Sequence, residues 1–294
     1  MRILLTSDLH YDIPRSQAPT EQLARDLCRA GGDLLVLVGD MAATDLAILE
    51  RLFNLFESFP GPRLFTPGNH ELWVRPGGDS LQRYTTELAQ LCRQTGVHYL
   101  DDAPYRAGEL AIVGSVGWYD YSFRPAALGI PLRFYQHKVA PGRALADDRY
   151  HHLVHGYDDL APAARDLIVL WMDGVRVRLG QSDVDFTRLT LERLRAQLDA
   201  VTAGNGSAAR HVVAAIHHLP FAGLVPPAIA PTLNFAGAFL GSELFGELLL
   251  EYPQVRQVYC GHAHRAARVR RGHLTATCIG STYTEKAYET LDVD

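Results

Sequence analysis

The sequence contains few cysteines, and their spacing excludes two kinds of structural site. Cys28, Cys92, Cys260 and Cys278 are the four cysteines among 294 residues, and they form no C-x-x-C pair. Scattered thiols are typical of a protein in a reducing compartment, and they predict neither a disulfide framework nor a Cys-type zinc site. We therefore expect a cytoplasmic protein without disulfide bonds.

The sequence also lacks an excess of positive charge and a long apolar run. Its 28 Lys and Arg residues face 33 Asp and Glu residues, giving a net charge of −5, so nucleic-acid binding is disfavoured. The N-terminal segment turns polar at Thr6, unlike a signal peptide, and Glu243 and Glu247 interrupt the longest apolar stretch. We expect neither export nor a membrane span.

Short apolar runs alternate with helical patterns along much of the chain. The predicted strands begin at Arg2, Asp33, Pro62, Glu109, His211, Val255 and His273. Helical patterns lie between the early strands, and we predict that Thr20 caps the first helix and that Gly31 ends it. This alternation predicts an α/β fold whose parallel strands gather their carboxyl-end loops on one edge, where ligands bind in open sheets.

The pattern changes between Tyr119 and Gly206. Aromatic residues, prolines and histidines replace the alternation there, until a helix begins near Asp185. We interpret residues 119–206 as an insertion beside the core of a single domain that spans residues 1–294.

Polar segments follow five of the predicted strands at their carboxyl ends. These segments are DLH from Asp8, GD from Gly39, GNHE from Gly68, HH from His217 and GHAH from Gly261. In an extended segment residues i and i+2 point to the same side, so Asp8 and His10 can reach one place, as can His262 and His264. Glycines before the polar residues fit turns that need a positive φ or a close approach of the backbone.

The side chains in these segments make an inventory of metal ligands. The candidates are Asp8, His10, Asp40, Asn69, His217, His262 and His264. Imidazole, carboxylate and amide donors suit divalent or mixed-valence ions of Mn, Fe, Zn, Co or Ni. Seven ligands exceed the needs of one tetrahedral ion, whereas two ions bridged by Asp40 use them all. His218 is an alternative to His217 as the ligand, although the end of the strand favours His217.

The five segments also occur in a known order. The calcineurin-like metallophosphoesterase superfamily has the pattern D-x-H, G-D, G-N-H-[DE], H and G-H-x-H, and the sequence resembles it from Asp8 to His264. Five ordered motifs are far more specific than any one alone. The resemblance implies a four-layer α-β-β-α sandwich with a dinuclear metal site at one edge.

The resemblance also implies roles for the candidate residues. Asp8, His10, Asp40 and His264 would hold one ion, and Asp40, Asn69, His217 and His262 would hold the other. Two ions about 3.5–4 Å apart can generate a bridging hydroxide and hold a phosphate for in-line attack. His70 would not be a ligand; when protonated it could stabilise the transition state or protonate the leaving oxygen.

Four further residues are candidates for substrate contacts. Tyr119 and Arg124 lie in an aromatic segment after a predicted strand, which is either a wall of the cleft or a packed corner. Arg268 belongs to an arginine-rich segment that can position a phosphate or can be an exposed strand face. His218 is the remaining candidate.

Missing motifs argue against several other classes of enzyme. Met41, Ala42 and Ala43 follow Asp40, so the D-R-G of Ser/Thr protein phosphatases and the tyrosine of purple acid phosphatases are both missing. No G-x-G-x-x-G follows the first strand, which disfavours binding of a nucleotide cofactor. No H-x-H-x-D-H run is present either, which disfavours a mononuclear zinc hydrolase of the metallo-β-lactamase type.

The remaining choice concerns the substrate. We expect a small phosphorylated substrate and a phosphodiesterase that cleaves a cyclic nucleotide or a similar compound. A phosphomonoesterase and a nucleotide pyrophosphatase are alternatives. A non-catalytic interaction scaffold is an alternative of another class.

Overall fold

A computed structural model describes residues 1–156, 158–203, 208–227 and 230–293. The predicted insertion includes positions 157 and 204–206, which lie outside the described residues. The strands within the described residues are β1 (Arg2–Thr6), β2 (Leu34–Val38), β3 (Arg63–Thr66), β4 (Val97–Tyr99), β5 (Tyr105–Ala107), β6 (Leu110–Ser115), β7 (His211–Ile216), β8 (Val255–Cys260), β9 (Ala267–Arg271), β10 (Leu274–Cys278) and β11 (Tyr288–Asp292). Each strand predicted from the sequence is present.

Helices fill most of the connections between these strands. In the described ranges they are α1 (Pro14–Ala30), α2 (Leu46–Leu55), α3 (Ser80–Gln82), α4 (Leu88–Thr95), α5 (Leu132–Gln136), α6 (Pro141–Leu145), α7 (Asp173–Arg176), α8 (Asp183–Thr202), α9 (Pro231–Gly237) and α10 (Glu243–Leu250). A π-helical turn at Arg83–Glu87 joins α3 to α4. No helix in this part of the chain has the length and apolar character needed to cross a membrane.

The strands form two sheets. The first has the order β11-β1-β2-β3-β4, and the second has the order β5-β6-β7-β8-β10-β9. Strands β1 to β4 run parallel to one another, as do β6, β7, β8 and β10. The antiparallel strands β11, β5 and β9 occupy edges. The carboxyl ends of the central parallel strands therefore lie together at one edge of each sheet.

The two sheets pack face to face between two layers of helices. Ile3 and Leu5 of β1 lie in the same buried cluster as Ile112 of β6, whereas Leu4 lies in the cluster that contains Leu27 of α1. Successive side chains of a strand point to opposite faces, and both faces are buried, which explains the unbroken apolar runs. The fold is the expected four-layer α-β-β-α sandwich.

The prediction that Thr20 caps the first helix was wrong. Helix α1 begins at Pro14, whose fixed φ and missing N–H suit the first helical position. Thr20 is buried inside the helix, and its hydroxyl donates to the carbonyl oxygen of Leu9, 3.1 Å away. Gly31 ends the helix with a φ of 65°, as predicted.

The segment from Tyr119 to α8 supplies one wall of the edge where the strand ends meet. Short helical turns lead through α5, α6 and α7, and residues 170–173 reach the ends of β3 and β8. Helix α8 packs on the outer face of the second sheet, where Leu194 and Leu198 join Val113 in one cluster. The chain between α6 and α8 therefore lies beside the polar strand ends.

Candidate metal centre

The polar segments follow directly on β1, β2, β3, β7 and β8, so both sheets contribute to one locus. Ligand atoms of Asp8, His10, Asp40 and His264 lie within 4.8 Å of one another. Nε2 of His10 lies 3.1 Å from Nε2 of His264 and 3.7 Å from Oδ2 of Asp40. Two ligands that each lie about 2.1 Å from one ion are at most about 4.2 Å apart, so both distances suit a shared ion.

A second cluster adjoins the first through Asp40. It contains ligand atoms of Asp40, His217 and His262, also within 4.8 Å of one another. Nε2 of His217 lies 3.4 Å from Oδ1 of Asp40 and 3.3 Å from Nδ1 of His262. The two oxygens of Asp40 thus face different clusters, which is the geometry of a bridging carboxylate.

Backbone carbonyls fix the orientation of two imidazoles in the second cluster. Nδ1 of His217 lies 3.0 Å from the carbonyl oxygen of Val38, and Nε2 of His262 lies 3.2 Å from that of Phe239. Each carbonyl accepts the ring N–H, which leaves the other nitrogen directed into the cluster. Metal-binding histidines are usually held by a partner of this kind.

The side-chain amide of Asn69 is oriented by a hydrogen bond to Asp173, and its oxygen points the other way. Nδ2 of Asn69 donates to Oδ1 of Asp173 at 2.9 Å. Its Oδ1 is buried and has no hydrogen-bond partner among the described residues. A buried carbonyl oxygen without a partner is costly unless a ligand satisfies it, and a divalent cation is a suitable one.

The backbone at these strand ends is left-handed, so the expectation of extended D-x-H and H-x-H segments was wrong. The residues Asp8, His10, Asp40, His262 and His264 have φ values of 56°, 43°, 56°, 68° and 52°. Each strand ends before its motif, and the tight turns, rather than strand alternation, bring the side chains together. Left-handed residues other than glycine are uncommon and cluster at functional sites.

Glycines make room for the clusters. A Cβ atom on Gly68 would lie 2.1 Å from Oδ1 of Asp40, and one on Gly39 would lie 2.3 Å from Nδ1 of His217. Gly39 also has a φ of 74°. These positions therefore require glycine for close approach, as the sequence predicted.

Glu71 holds the loops that carry the clusters. Its Oε2 accepts from the amides of Gly68 and Asp40 at 2.6 and 2.9 Å, and its Oε1 accepts from the amide of Ala42 at 2.8 Å. Burial and the negative charge of Asp40 raise the pKa of Glu71 to about 8, against the opposing effect of the amides. A cation in the clusters would offset this cost of burying two carboxylates.

The electrostatics of the clusters fit a cation. Burial raises the pKa of Asp8 and lowers the pKa values of His10 and His262, so their imidazoles are neutral and can coordinate. Burial also disfavours the charged form of His217, but the neighbouring Asp40 raises its pKa to about 10. Positive charge beside Asp40 is therefore favourable, whether it comes from a proton or from a metal ion.

His70 lies beside the first cluster at the wall of an open cleft. Its Nε2 lies 3.8 Å from Oδ2 of Asp40, and its ring stacks on Trp73 with centroids 3.8 Å apart. The side chain of His70 is 14% exposed, whereas that of His10 is fully buried. His70 can therefore meet a ligand in the cleft.

Two adjoining cavities open on the clusters. The cleft, with a volume of about 320 Å³, is lined by Asp40, Asn69, His70, Trp73, Leu170, Trp171, Met172, His262, His264 and Tyr283. The groove, with a volume of about 800 Å³, is lined by Trp171, Val225, Pro226, Pro227, Ala236, Leu240, His262, Ala263, His264, Arg265 and Tyr283. Trp171, His262, His264 and Tyr283 line both, so the cavities meet at the candidate metal centre.

The four other candidate residues lie away from these walls. Tyr119 is buried and donates its hydroxyl to Asp173, and Arg124 donates to the carbonyl oxygen of Tyr121. Arg268 pairs with Glu289 on the edge of the second sheet. None of these three residues lines the cleft or the groove, so their contacts with substrate remain predictions.

His218, the fourth of these candidates, is buried next to His217 but lies outside both clusters of possible ligands. Its Nδ1 lies 2.8 Å from the carbonyl oxygen of Val116. Burial lowers the pKa of His218 to about 3, so its ring is neutral. The geometry therefore favours His217 over His218 as the ligand, and the assignment of ligands is developed below as a proposal.

Trp73, Trp171, Asp173 and Tyr283 surround the clusters, although sequence analysis did not select them. Trp171 and Asp173 lie in the segment between α6 and α8, and Tyr283 follows β10. No local motif marks these positions. The three aromatic residues are nevertheless typical of walls that bind organic groups.

The sequence matches the calcineurin-like phosphoesterase family over residues 1–266. The chain belongs to this family. It is a metal-dependent phosphoesterase, and its two candidate clusters are consistent with a dinuclear site. A comparison with curated proteins found no match.

Solved structures of similar fold cover almost the whole chain of this calcineurin-like phosphoesterase. Phosphopantetheinyl hydrolase from Mycobacterium tuberculosis has a TM-score of 0.66 and 19% identity, covering 95% of this chain and 89% of its own. A dimetal phosphatase from Danio rerio has a TM-score of 0.53 and 16% identity, covering 99% and 91%. TT1561 of Thermus thermophilus has a TM-score of 0.52 and 13% identity, covering 99% and 98%. At these identities the likeness concerns the fold.

Proposed function

We propose that this protein is a phosphodiesterase that cleaves small organic phosphates with two divalent ions. Asp8, His10, Asp40 and His264 hold one ion, and Asp40, Asn69, His217 and His262 hold the other. The observation that carries the choice of a diester is that the cleft and the groove meet at the candidate metal centre. A phosphate placed there has room for one ester group on each side.

The groove suits an uncharged organic group. Val225, Pro226, Pro227 and Leu240 contribute apolar surface, and Trp171 and Tyr283 contribute aromatic rings. Among the described residues that line it, Arg265 is the one Lys or Arg. Apolar walls with few polar groups are typical of sites that bind small organic molecules.

The residues of the chain have distinct tasks in this reaction. When bound, two ions would supply Lewis acidity for the phosphoryl oxygens and make water more acidic, which is the chemistry that two-metal sites contribute. Glu71 holds the loops of Gly68 and Asp40 in register through its backbone hydrogen bonds. His70 faces the cleft, and its ring N–H can donate a proton to the leaving oxygen.

Hydrolysis of two chromogenic esters tests the proposal. Metal-stripped protein is reloaded with Mn²⁺ and assayed with bis-p-nitrophenyl phosphate and with p-nitrophenyl phosphate, and Asp40→Ala is the control. We expect preferential cleavage of the diester, lost in the control. Preference for the monoester would replace the proposal with a phosphomonoesterase, and no cleavage by protein that binds Mn²⁺ would favour the scaffold alternative.

The natural substrate is sought next in a panel that contains cyclic nucleotides, a phosphopantetheinyl diester and, for the pyrophosphatase alternative, dinucleotide pyrophosphates. The last compound is included because the chain shares its fold with a protein described as a phosphopantetheinyl hydrolase. A long neutral substituent also suits the apolar groove.

We further propose that the protein acts in the cytoplasm, since Cys28, Cys92, Cys260 and Cys278 are all free thiols.

A further inference from the structure

One buried carboxylate collects donors from both the core and the segment between α6 and α8. Oδ1 of Asp173 accepts from Nδ2 of Asn69 at 2.9 Å and from Nε1 of Trp73 at 2.7 Å. Its Oδ2 accepts from the hydroxyl of Tyr119 at 3.0 Å and from Nε1 of Trp171 at 2.8 Å. Asp173 is 1% exposed, so these donors replace the water around its carboxylate.

A carboxylate that only accepts hydrogen bonds decides which way the amide of Asn69 points. The amide group has a donor end and an acceptor end of nearly equal size. Asp173 attracts Nδ2 and repels Oδ1, so the oxygen is turned to the side away from Asp173. That oxygen is buried and lacks a partner within the described part of the chain. The contact therefore presents a coordinating atom to the second ion.

The same carboxylate holds two indoles that form the walls around the centre. Trp73 stacks on His70 with an angle of 23° between the rings. Trp171 lines both cavities and meets His262 edge to face with centroids 5.9 Å apart. Anchored N–H groups restrict rotation of both rings.

We propose that Asp173 is a positioning residue that orients Asn69 as a ligand and fixes the walls at Trp73 and Trp171. This inference rests on the proposed function through the role of Asn69. A segment outside the five family motifs thus sets the affinity of the second metal position. The expected loss on removing such a partner of a metal ligand is about 10–100-fold in metal affinity.

Calorimetric titration of Mn²⁺ into metal-stripped full-length protein tests the inference. In Asp173→Asn an amide nitrogen replaces one acceptor oxygen, and two donors then face an N–H group. We expect one Mn²⁺ to bind about 10–100-fold more weakly and the other to change by less than about threefold. Unchanged affinity for both ions would overturn the inference.

Asp183 provides a matched control, because it is another buried carboxylate in the same part of the chain. It accepts from Nε1 of Trp118, the hydroxyl of Tyr121 and Nζ of Lys138, none of which is a proposed ligand. Asp183→Asn is expected to lower the melting temperature but to leave both Mn²⁺ affinities within about threefold, since its effect is on folding alone. Equal weakening in the two variants would show a general effect of destabilisation and would overturn the inference.

A double-mutant cycle shows whether Asp173 acts through Asn69. Asn69→Ala removes the proposed ligand, so adding Asp173→Asn to it should have less than about a threefold further effect on Mn²⁺ affinity. A full additional loss would mean that Asp173 acts by another route and would overturn the inference.

Asn69→Asp tests the same contact if Asp173→Asn does not fold. A carboxylate is an excellent ligand for Mn²⁺, so the affinity would rise if the contact with Asp173 did not matter. We expect the affinity to fall instead, because the new carboxylate faces that of Asp173 and loses the directing hydrogen bond. A tighter ion in this variant would overturn the inference.

The two proposals fail in different ways. Wild-type protein that binds two Mn²⁺ ions and follows the expected pattern but cleaves no diester contradicts the phosphodiesterase alone. Wild-type protein that cleaves the diester while Asp173→Asn binds both ions normally contradicts the positioning role alone. Wild-type protein that binds no Mn²⁺ contradicts both.

Discussion

Nε2 of His10 lies 3.1 Å from Nε2 of His264, although 254 positions separate the two residues in the chain. His10 follows β1 of the first sheet, and His264 follows β8 of the second. An ion held between these atoms would tie the two sheets together at their carboxyl ends. Metal binding should therefore be linked to folding as well as to catalysis.

We predict that removing the metal lowers the melting temperature. An ion that binds only the folded state contributes about 2.7 kcal/mol at a concentration 100 times its dissociation constant. Calorimetric melting with Mn²⁺ and then with EDTA measures the difference. His264→Ala should lose most of the response to Mn²⁺, and an equal response in this variant would contradict a site that joins the sheets.

We predict that His70→Asn keeps both ions and loses turnover. The expected decrease in kcat is about 10²–10⁴-fold, which is the usual contribution of general acid catalysis. The loss should be smaller for a diester with a p-nitrophenolate leaving group than for one with an alkoxide, since the former needs less protonation. Equal losses for the two leaving groups would assign His70 to stabilising the phosphoryl charge instead.

We predict that Asp101→Asn stabilises the protein at neutral pH. Burial raises the pKa of Asp101 to about 6, against hydrogen bonds from Thr66, Val116 and Tyr84. The folded state therefore holds this proton more tightly than the unfolded state, and stability is lost as the pH rises from about 4 to above 6. The loss amounts to about 3 kcal/mol, or roughly two pKa units.

An asparagine at position 101 can accept from Tyr84 and Val116 and donate to the hydroxyl of Thr66. Urea unfolding of metal-stripped protein at pH 4.5 and pH 7 measures the free energy of unfolding for both forms. The advantage of Asp101→Asn should grow with pH. An advantage that is constant with pH would mean that Asp101 has the same pKa in the folded and unfolded states.

We predict that Ala236→Phe weakens the binding of diesters with two bulky groups. Ala236 lines the groove, and a phenyl group would occupy the space available to one ester substituent. The KM for bis-p-nitrophenyl phosphate should rise about tenfold, which corresponds to roughly 1.4 kcal/mol of lost apolar contact. The KM for methyl p-nitrophenyl phosphate should change less, and an equal rise for both esters would place the substrate outside the groove.

Local patterns were sufficient to predict seven of the described strands, β1, β2, β3, β6, β7, β8 and β10, and the polar segments that follow five of them. They did not predict the short strands β4 and β5 or the edge strand β11. A run such as Leu34–Val38 is apolar throughout because both faces of its strand are covered, and this signal needs no knowledge of distant residues. The start of α1 was less predictable, because Thr20 has the chemistry of a cap but bonds to Leu9 from inside the helix. Its environment, and not its own propensity, decided its role.

The left-handed turns were only partly predictable. Glycine at positions 39 and 68 indicated close approach, and the structure shows the atoms that a Cβ would meet. Histidine is enriched among residues with a positive φ, but most histidines have a negative φ, so the residue types of His10 and His264 do not predict one. Backbone hydrogen bonds hold the first of these turns, since the amides of Asp8 and His10 donate to the carbonyl oxygens of Gly39 and Asp40. Strand alternation therefore predicted the right neighbours with the wrong backbone geometry.

The α/β alternation, the positions of the five motifs and the inventory of donor atoms could be read from the sequence, because they depend on residues close together in the chain. The folded structure was needed to show that Asp40 faces both clusters, that His217 rather than His218 points into one, and that Asp173 accepts a hydrogen bond from Asn69. These relationships join residues from different strands and from a segment without a motif. They depend on the relative placement of two sheets, which long-range packing sets and local sequence does not encode.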